Sequence, residues 1–230
     1  MLLYPILSSN PTISFDTRDG RIILIWRDSI KVQVLNQYRQ CITCKLDFPH
    51  QPPVIYSTIY ASNFSAERVD LWAELIQLHS DLDLDNHNWI IGGDLNRIIH
   101  PCEHSSPHVV VPDGLMYQLQ DCFLQMGVFD LRYIGPCHTW TNNQPDTPIA
   151  KKLDRLLVNT KTIISFPHTL ASFLPPIFSD HSPCIIDLAF SLPKTAGNKC
   201  QTLAQLCLKL KCRLFKIPLH HLQELQIAIA

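Results

Sequence analysis

The chain has 230 residues, is 46% hydrophobic and carries a formal net charge of -1. There is apolar material for one large core, and no global basic field of the kind that draws a protein onto nucleic acid, so any such contact must rest on local charge. Seventeen prolines against seven glycines exclude long uninterrupted helices and favour many short elements.

The opening "MLLYPILSSNP" lacks a basic n-region, and its apolar run is broken by Pro5. It is not read as a signal peptide, and no run of 18 apolar residues suggests a membrane span. An intracellular location is expected, nucleus or cytoplasm left open. From Gly20, "GRIILIWRDSIKVQVLNQYRQCITCKLDF" reads as successive antiparallel strands with polar breaks at Arg27–Ser29 and Asn36–Gln37. The nine cysteines are odd in number and scattered. Their one close pair, Cys41-x-x-Cys44, lies in an alternating strand pattern and reads as buried thiols rather than half of a zinc set. "PPVIYSTIYASNF" is another strand. "SAERVDLWAELIQLHSDL" places Val69, Trp72, Leu75, Ile76 and His79 at helical spacing, with Ser65 as N-cap.

"NWIIGGD" returns to strand, and "DGLMYQLQDCFLQMG" repeats the helical period at Leu115, Leu119, Cys122, Phe123 and Met126, with Gly127 as C-cap. The runs "HTWTNN", "KLDRLLVN" and "PCIIDLAF" read as strands. After a linker, "QTLAQLCLKLKCRLFKI" reads as a basic amphipathic helix carrying Lys209, Lys211, Arg213 and Lys216. Such a charge run is more often a solvated face than a contact with nucleic acid. The order of strands and helices gives an α+β class with helices covering a mostly antiparallel core.

Polar residues that interrupt apolar strands are the informative ones. They are Tyr60 and Asn63 in "IYASNF", Asp94 and Asn96 in "GGDLN", Thr139 and Trp140 in "HTWTN", Asp154 in "KLDRLLV", and Ser179-Asp180-His181. Each alone reads as a hydrogen-bonded structural group. Taken together they are a kit for phosphate chemistry. Asp94 and Asn96, two apart, share a face of an extended chain; one can take a proton from water while the other holds a phosphate oxygen. His181 can meet a phosphate while another Asp orients its ring, and the carboxylates can hold a hard cation such as Mg²⁺.

In that order, "YASN", "GGDLN", "HTWTN", "KLDRLLV" and "SDHSP" resemble the endonuclease/exonuclease/phosphatase superfamily, most closely the endonuclease domain of plant LINE-type (non-LTR) retrotransposons. The resemblance implies a four-layer α/β/β/α sandwich of two mostly antiparallel sheets and metal-dependent (Mg²⁺ or Mn²⁺) cleavage of DNA phosphodiesters. By position, Asp94 becomes the base for the attacking water, Asn96 a phosphate and water ligand, and His181 a phosphate contact with Asp154 on its other ring nitrogen. Asp180 lies beside the metal or the water and is the expected metal ligand. Tyr60 and Asn63 line the pocket, with Thr139 and Ser179 in support.

The resembling family opens with a strand bearing an Asn and a later strand ending in the principal metal-binding Glu. No residue ahead of "GRIILIW" fits that pattern, and Asn10, Asp16 and Asp19 have no recommending spacing. The expectation is therefore a domain over residues 20–190 without its first strands, an unassigned segment over 1–19, and a linker with helix over 191–230. Weak metal binding and impaired activity follow, with a non-catalytic, nucleic-acid-binding or inert remnant as the alternative. An exposed sheet edge would invite association. Asp81, Asp83 and Asp85 imitate a calcium loop but lack its Gly and Glu; His100, Cys102, His104 and His108 match no closed zinc set. Ser179, Asp180 and His181, adjacent in sequence, are not a hydrolase triad, because neighbours on a strand point apart.

Overall fold

In the computed structural model, residues 12–15, 22–26, 29–177, 179–188 and 207–208 are described. Alternating apolar residues build a sheet of six strands in the order β3-β4-β5-β6-β11-β7. These are β3 (Lys31–Gln37), β4 (Cys41–Asp47), β5 (Val54–Tyr60), β6 (Asn88–Asp94), β11 (Asp154–Asn159) and the edge strand β7 (Val128–Asp130). All neighbours are antiparallel except β5 and β6, which are parallel and joined through the helix α1 (Ser65–Asp81). The second sheet runs β14-β13-β12-β8, from Cys207–Leu208, Cys184–Asp187, Leu170–Phe173 and Tyr133–Ile134. A hairpin of β1 (Thr12–Phe15) and β2 (Ile23–Trp26) precedes the large sheet, and β9 (Trp140–Thr141) pairs with β10 (Ala150–Lys151) at the site end.

Side-chain alternation sorts two cores. Ile42, Cys44, Val54, Tyr56, Ile90, Leu156 and Val158 face the second sheet, where Ala171, Phe173, Cys184 and Ile186 meet them. The opposite residues Ile55, Ile59, Trp89, Ile91 and Leu157 face Leu71, Trp72, Leu75 and Leu78 of α1 and Leu119, Cys122 and Phe123 of α2 (Gly114–Gln125). The short helix α3 (Thr160–Ser165) is capped by Asn159, whose side chain accepts from Thr162 N. The fold is α+β with mostly antiparallel sheets. Among the described residues the long helices lie over the large sheet alone.

Cys41 and Cys44 are buried thiols on β4, and burial pushes both up to about 12. In α1 the buried face is Arg68, Leu71, Trp72, Leu75 and Leu78, one residue out of phase with the expected one; Val69 is exposed. Ser65 is the first helical residue, and Phe64 stands at the N-cap, where its aromatic side chain offers no acceptor; Ser62 Oγ takes the Phe64 N–H at 3.2 Å. The helix expected after residue 200 is corrected at Cys207–Leu208, which pair antiparallel with Asp187 and Ile186. Apolar alternation there suits a sheet edge as well as a helix face. Lys209, Lys211, Arg213 and Lys216 lie outside the described residues, as do Asn10, Asp16 and Asp19.

Two glycines are required where β6 delivers its end. A Cβ on Gly92 would lie 2.7 Å from the Tyr56 hydroxyl, and one on Gly93, at φ +140°, would lie 2.0 Å from the Ile59 carbonyl oxygen. Gly93→Ala combines a backbone clash with a disfavoured φ. We expect it to cost about 3 kcal/mol or more in urea unfolding, among the larger single-residue effects; a loss under about 1 kcal/mol would contradict this packing.

Candidate active site

Strand register sets three side chains in one row. Tyr60 at the end of β5 lies opposite Asp94 at the end of β6, and Asp94 lies opposite Asp154 at the start of β11. All three project toward the second sheet, as their positions two and four residues from Leu156, Val158 and Ile90 require. The two carboxylates are buried.

His181 arrives from the other sheet, on the connection between β12 and β13. Three backbone contacts fix it: Trp140 bridges His181, Thr141 N donates to the Asp180 carbonyl at 3.0 Å, and Ser182 N donates to the Thr139 carbonyl at 2.7 Å. Its Nδ1 meets Asp154 Oδ2 at 3.0 Å, and its Nε2 faces Asp94 Oδ2 at 3.9 Å. Thr139 is buried, and its Oγ1 accepts from both Leu153 N (3.0 Å) and Asp154 N (2.9 Å), so it fixes the backbone that carries Asp154. Asp180 takes the Trp140 indole N–H at 3.0 Å and the Ser179 hydroxyl at 3.1 Å, and Ser179 Oγ also accepts from His181 N at 3.1 Å.

Asn96 reaches the site by a turn and not by strand alternation. β6 ends at Asp94; Asn96 adopts φ +49°, and its N–H donates to Asp94 Oδ1 at 2.7 Å. Asn and Asp tolerate that conformation because their short side chains bond locally. The Asn96 amide donates to the Ala61 carbonyl at 2.8 Å, and Ala61 N donates to the Asp94 carbonyl at 2.8 Å. The "YASN" and "GDLN" segments are therefore tied together. Asn63 is exposed, with its carbonyl held by Arg68.

The charges respond to this crowding. Burial, then the Asp154 charge, push Asp94 up to about 7, against the opposing pull of His181 and the Asn96 N–H. Burial disfavours the charged form of His181, but the hydrogen bond and charge of Asp154, with Asp94 and Asp180 behind, outweigh it and raise the ring to about 9. The bonded imidazolium contributes stability that is complete below the ordinary value of 6.5 and is lost as pH rises through about 9. Asp180 is held below the usual carboxylate range: burial works against ionisation, but the Trp140 N–H, His181 and the Ser179 hydroxyl outweigh it.

Asp94, Asp154 and His181 each offer a ligand atom within 4.8 Å of the others, a group that can hold a metal ion and the one such group among the described residues. The donor set suits a hard cation: Asp154 Oδ1 is buried with no hydrogen-bond partner, and Asp94 resists ionisation beside it. The histidines of the "HPCEHSSPH" segment do not gather; His104 Nδ1 accepts from Ser106 N at 2.9 Å, and His100 Nδ1 lies 3.4 Å from Gln120 Nε2. Asp81, Asp83 and Asp85 are spent on Gln77, Asn86 and His79.

Residues 6–181 match the model of the Endonuclease/Exonuclease/phosphatase family. The chain belongs to this family. Nuclease and phosphatase chemistry on phosphate esters is its province. Among solved structures, the endonuclease domain of TRAS1, a telomere-specific non-LTR retrotransposon, is similar in fold at TM-score 0.58 and 13% identity, over 75% of this chain and 76% of that one. A functionally unknown conserved protein from Enterococcus faecalis V583 is similar at TM-score 0.50 and 14% identity, over 76% and 75%. No curated protein matches the chain.

Three further side chains, none among the candidate residues read from the sequence, brace the strands and loops around the site. Gln40 is buried, accepts from Ser62 N and donates to the Glu67 carbonyl, each at 2.6 Å. Arg68 donates to the Ser62 and Asn63 carbonyls at 2.8 Å. Arg155, fully buried next to Asp154, pairs with Glu103 and Asp130. An arginine within the apolar run of "KLDRLLV", and another in phase with Leu71, Trp72 and Leu75, were the available signals. In metal-free protein, the His181 ring followed by NMR should titrate near 9 and fall toward 6.5 in Asp154→Asn. A wild-type midpoint below about 7 would refute the pairing of the two groups.

Proposed function

We propose that the chain hydrolyses phosphodiester bonds of DNA, as a slow nicking endonuclease of non-LTR retrotransposon descent. The observation that carries this reading is the junction of Asp94, Asp154 and His181 across two sheets, with Asn96 turned beside them. Asp94, poised near neutrality, accepts the proton of the attacking water. Asn96, whose amide is anchored on Ala61, orients that water and the scissile phosphate. His181 presents a protonated ring to a phosphate oxygen, and Asp154 fixes the ring and keeps its charge. Thr139 and Ser179 hold the backbone behind Asp154 and His181, while Tyr60 and Asn63 border the pocket.

A divalent cation, Mg²⁺ or Mn²⁺, would be held by Asp94 and the free oxygen of Asp154, with Asp180, bonded to Trp140, bordering that group and not within it, and would neutralise charge developing on the phosphate. His181 is not counted as a ligand, because its three acidic neighbours favour the protonated ring. Among the described residues no glutamate joins the cluster, which supports weak metal affinity and a low rate. That same feature favours the second reading, a non-catalytic remnant that at most binds nucleic acid. The domain expected over residues 20–190 extends on this reading to β1, which pairs with β2, and to Cys207–Leu208, which add to the second sheet.

Supercoiled plasmid with Mg²⁺ or Mn²⁺ decides between them. Wild type should nick, EDTA should stop it, and Asp94→Ala and His181→Ala should each lower the rate by at least about a hundredfold. Folded but equally silent wild type and variants would establish the remnant.

A further inference from the structure

The chain crosses from one sheet to the other between Asp130, which ends β7 of the large sheet, and Tyr133, which begins β8 of the second. Lys152 touches both ends of that crossing. Its Nζ lies 3.3 Å from Asp130 Oδ1 and 4.5 Å from the centroid of the Tyr133 ring, while its backbone N–H donates to the Glu103 carbonyl at 3.0 Å. The side chain is buried, and the second Asp130 oxygen is taken by Arg155. A lysine that shares its carboxylate with another cation is costly to bury, and an apolar side chain of similar length would serve stability as well. What an apolar side chain lacks is direction. An ammonium fixed by a carboxylate favours the face of an aromatic ring and so sets where that ring stands.

The Tyr133 ring leads in turn to the connection that bears His181. It meets Phe173 edge-on, at 5.4 Å between centroids and 85° between planes. β8 runs parallel to β12 here, with Tyr133 opposite Ala171, and the Gly135 backbone lies so close to Phe173 that a Cβ would stand 2.1 Å from the Phe173 carbonyl oxygen. Phe173 is the last residue of β12. Leu174, next in the chain, donates its N–H to the Pro183 carbonyl at 2.8 Å and so closes the neck of the connection just beyond His181. Thr139 and Trp140 hold that connection from the β9 side, and Phe173 holds it from the β8 side.

We propose that Lys152 is a positioning residue for His181. Its charge clamps Tyr133 to Asp130 and, through Phe173, sets the height of the 174–183 connection and hence the fit of the His181 ring on Asp154. The clamp is a matter of geometry alone; its consequence for catalysis rests on the reading of the chain as a nuclease.

Lys152→Met keeps the length of the side chain and removes its charge. The variant should fold with a urea midpoint equal to or above that of wild type. Two readouts that packing alone does not move should nevertheless change. In metal-free protein the His181 Nδ1–H resonance, held by Asp154 in wild type, should exchange faster with water. The kcat of plasmid nicking should fall about tenfold or more at unchanged KM. Lys152→Arg and Tyr133→Phe, which each keep a cation over an aromatic face, should stay close to wild type in both. A Lys152→Met protein that matches wild type in the resonance and in kcat overturns the proposal, and so does a loss that merely tracks a lower urea midpoint. If Lys152→Met does not fold, Tyr133→Leu removes the ring instead and is read in the same way. If wild type does not nick, the nuclease reading fails on its own, and the His181 resonance still decides the clamp.

Discussion

The bond between His181 Nδ1 and Asp154 Oδ2 joins the two sheets at the working end of the molecule. Asp154 begins β11 in the large sheet, and His181 stands in the connection between two strands of the small one. The core between the sheets is built largely from apolar side chains, which set distance but little direction. This polar contact supplies direction. It fixes the ring so that its second nitrogen faces Asp94, and every chemical role assigned to the pocket follows from that orientation.

The surroundings make sense as support for this contact. Thr139 satisfies two backbone N–H groups on either side of the Leu153–Asp154 peptide. Gly92 and Gly93 allow β6 to run close to Tyr56 and Ile59 and so to carry Asp94 into register with Asp154. The Glu103–Arg155–Asp130 pairing ties β11 to the loop after β6 and to the edge strand β7. Buried ion pairs of this kind contribute less to net stability than to a unique arrangement, and removing one partner is expensive. Here the arrangement being protected is the one-residue alternation that turns Asp154 toward the second sheet and Arg155 to the opposite, equally buried face.

Much of this was legible in the sequence, for reasons that differ by residue. Strands such as "VIYSTIY" and "NWIIGGD" announce themselves through β-branched and aromatic runs ended by Gly or Pro. Asp94 and Asp154 stand out because a charge inside an apolar strand needs a reason, and His181 because it follows Ser179 and Asp180 just ahead of one. The side of the chain on which Asn96 acts was not legible: alternation suggested a shared strand face, whereas a left-handed turn and the Ala61 carbonyl place it. Gln40 could not be found either, because its two partners, Ser62 and Glu67, are backbone groups more than twenty residues away. The phase of α1 slipped by one position because Arg68 occupies the buried face and a hydropathy pattern counts it as solvent-facing.

The claim that one polar contact directs the assembly is open to a double-mutant cycle. Urea unfolding of Asp154→Ala, His181→Ala and the double variant at pH 7, without metal, isolates the coupling between the two groups. A favourable coupling of at least about 1 kcal/mol is expected, with near-UV circular dichroism showing that each variant remains folded. Additive losses, within about 0.3 kcal/mol, would contradict it: the two side chains would then be neighbours held in place by the sheets, not the contact that orients them.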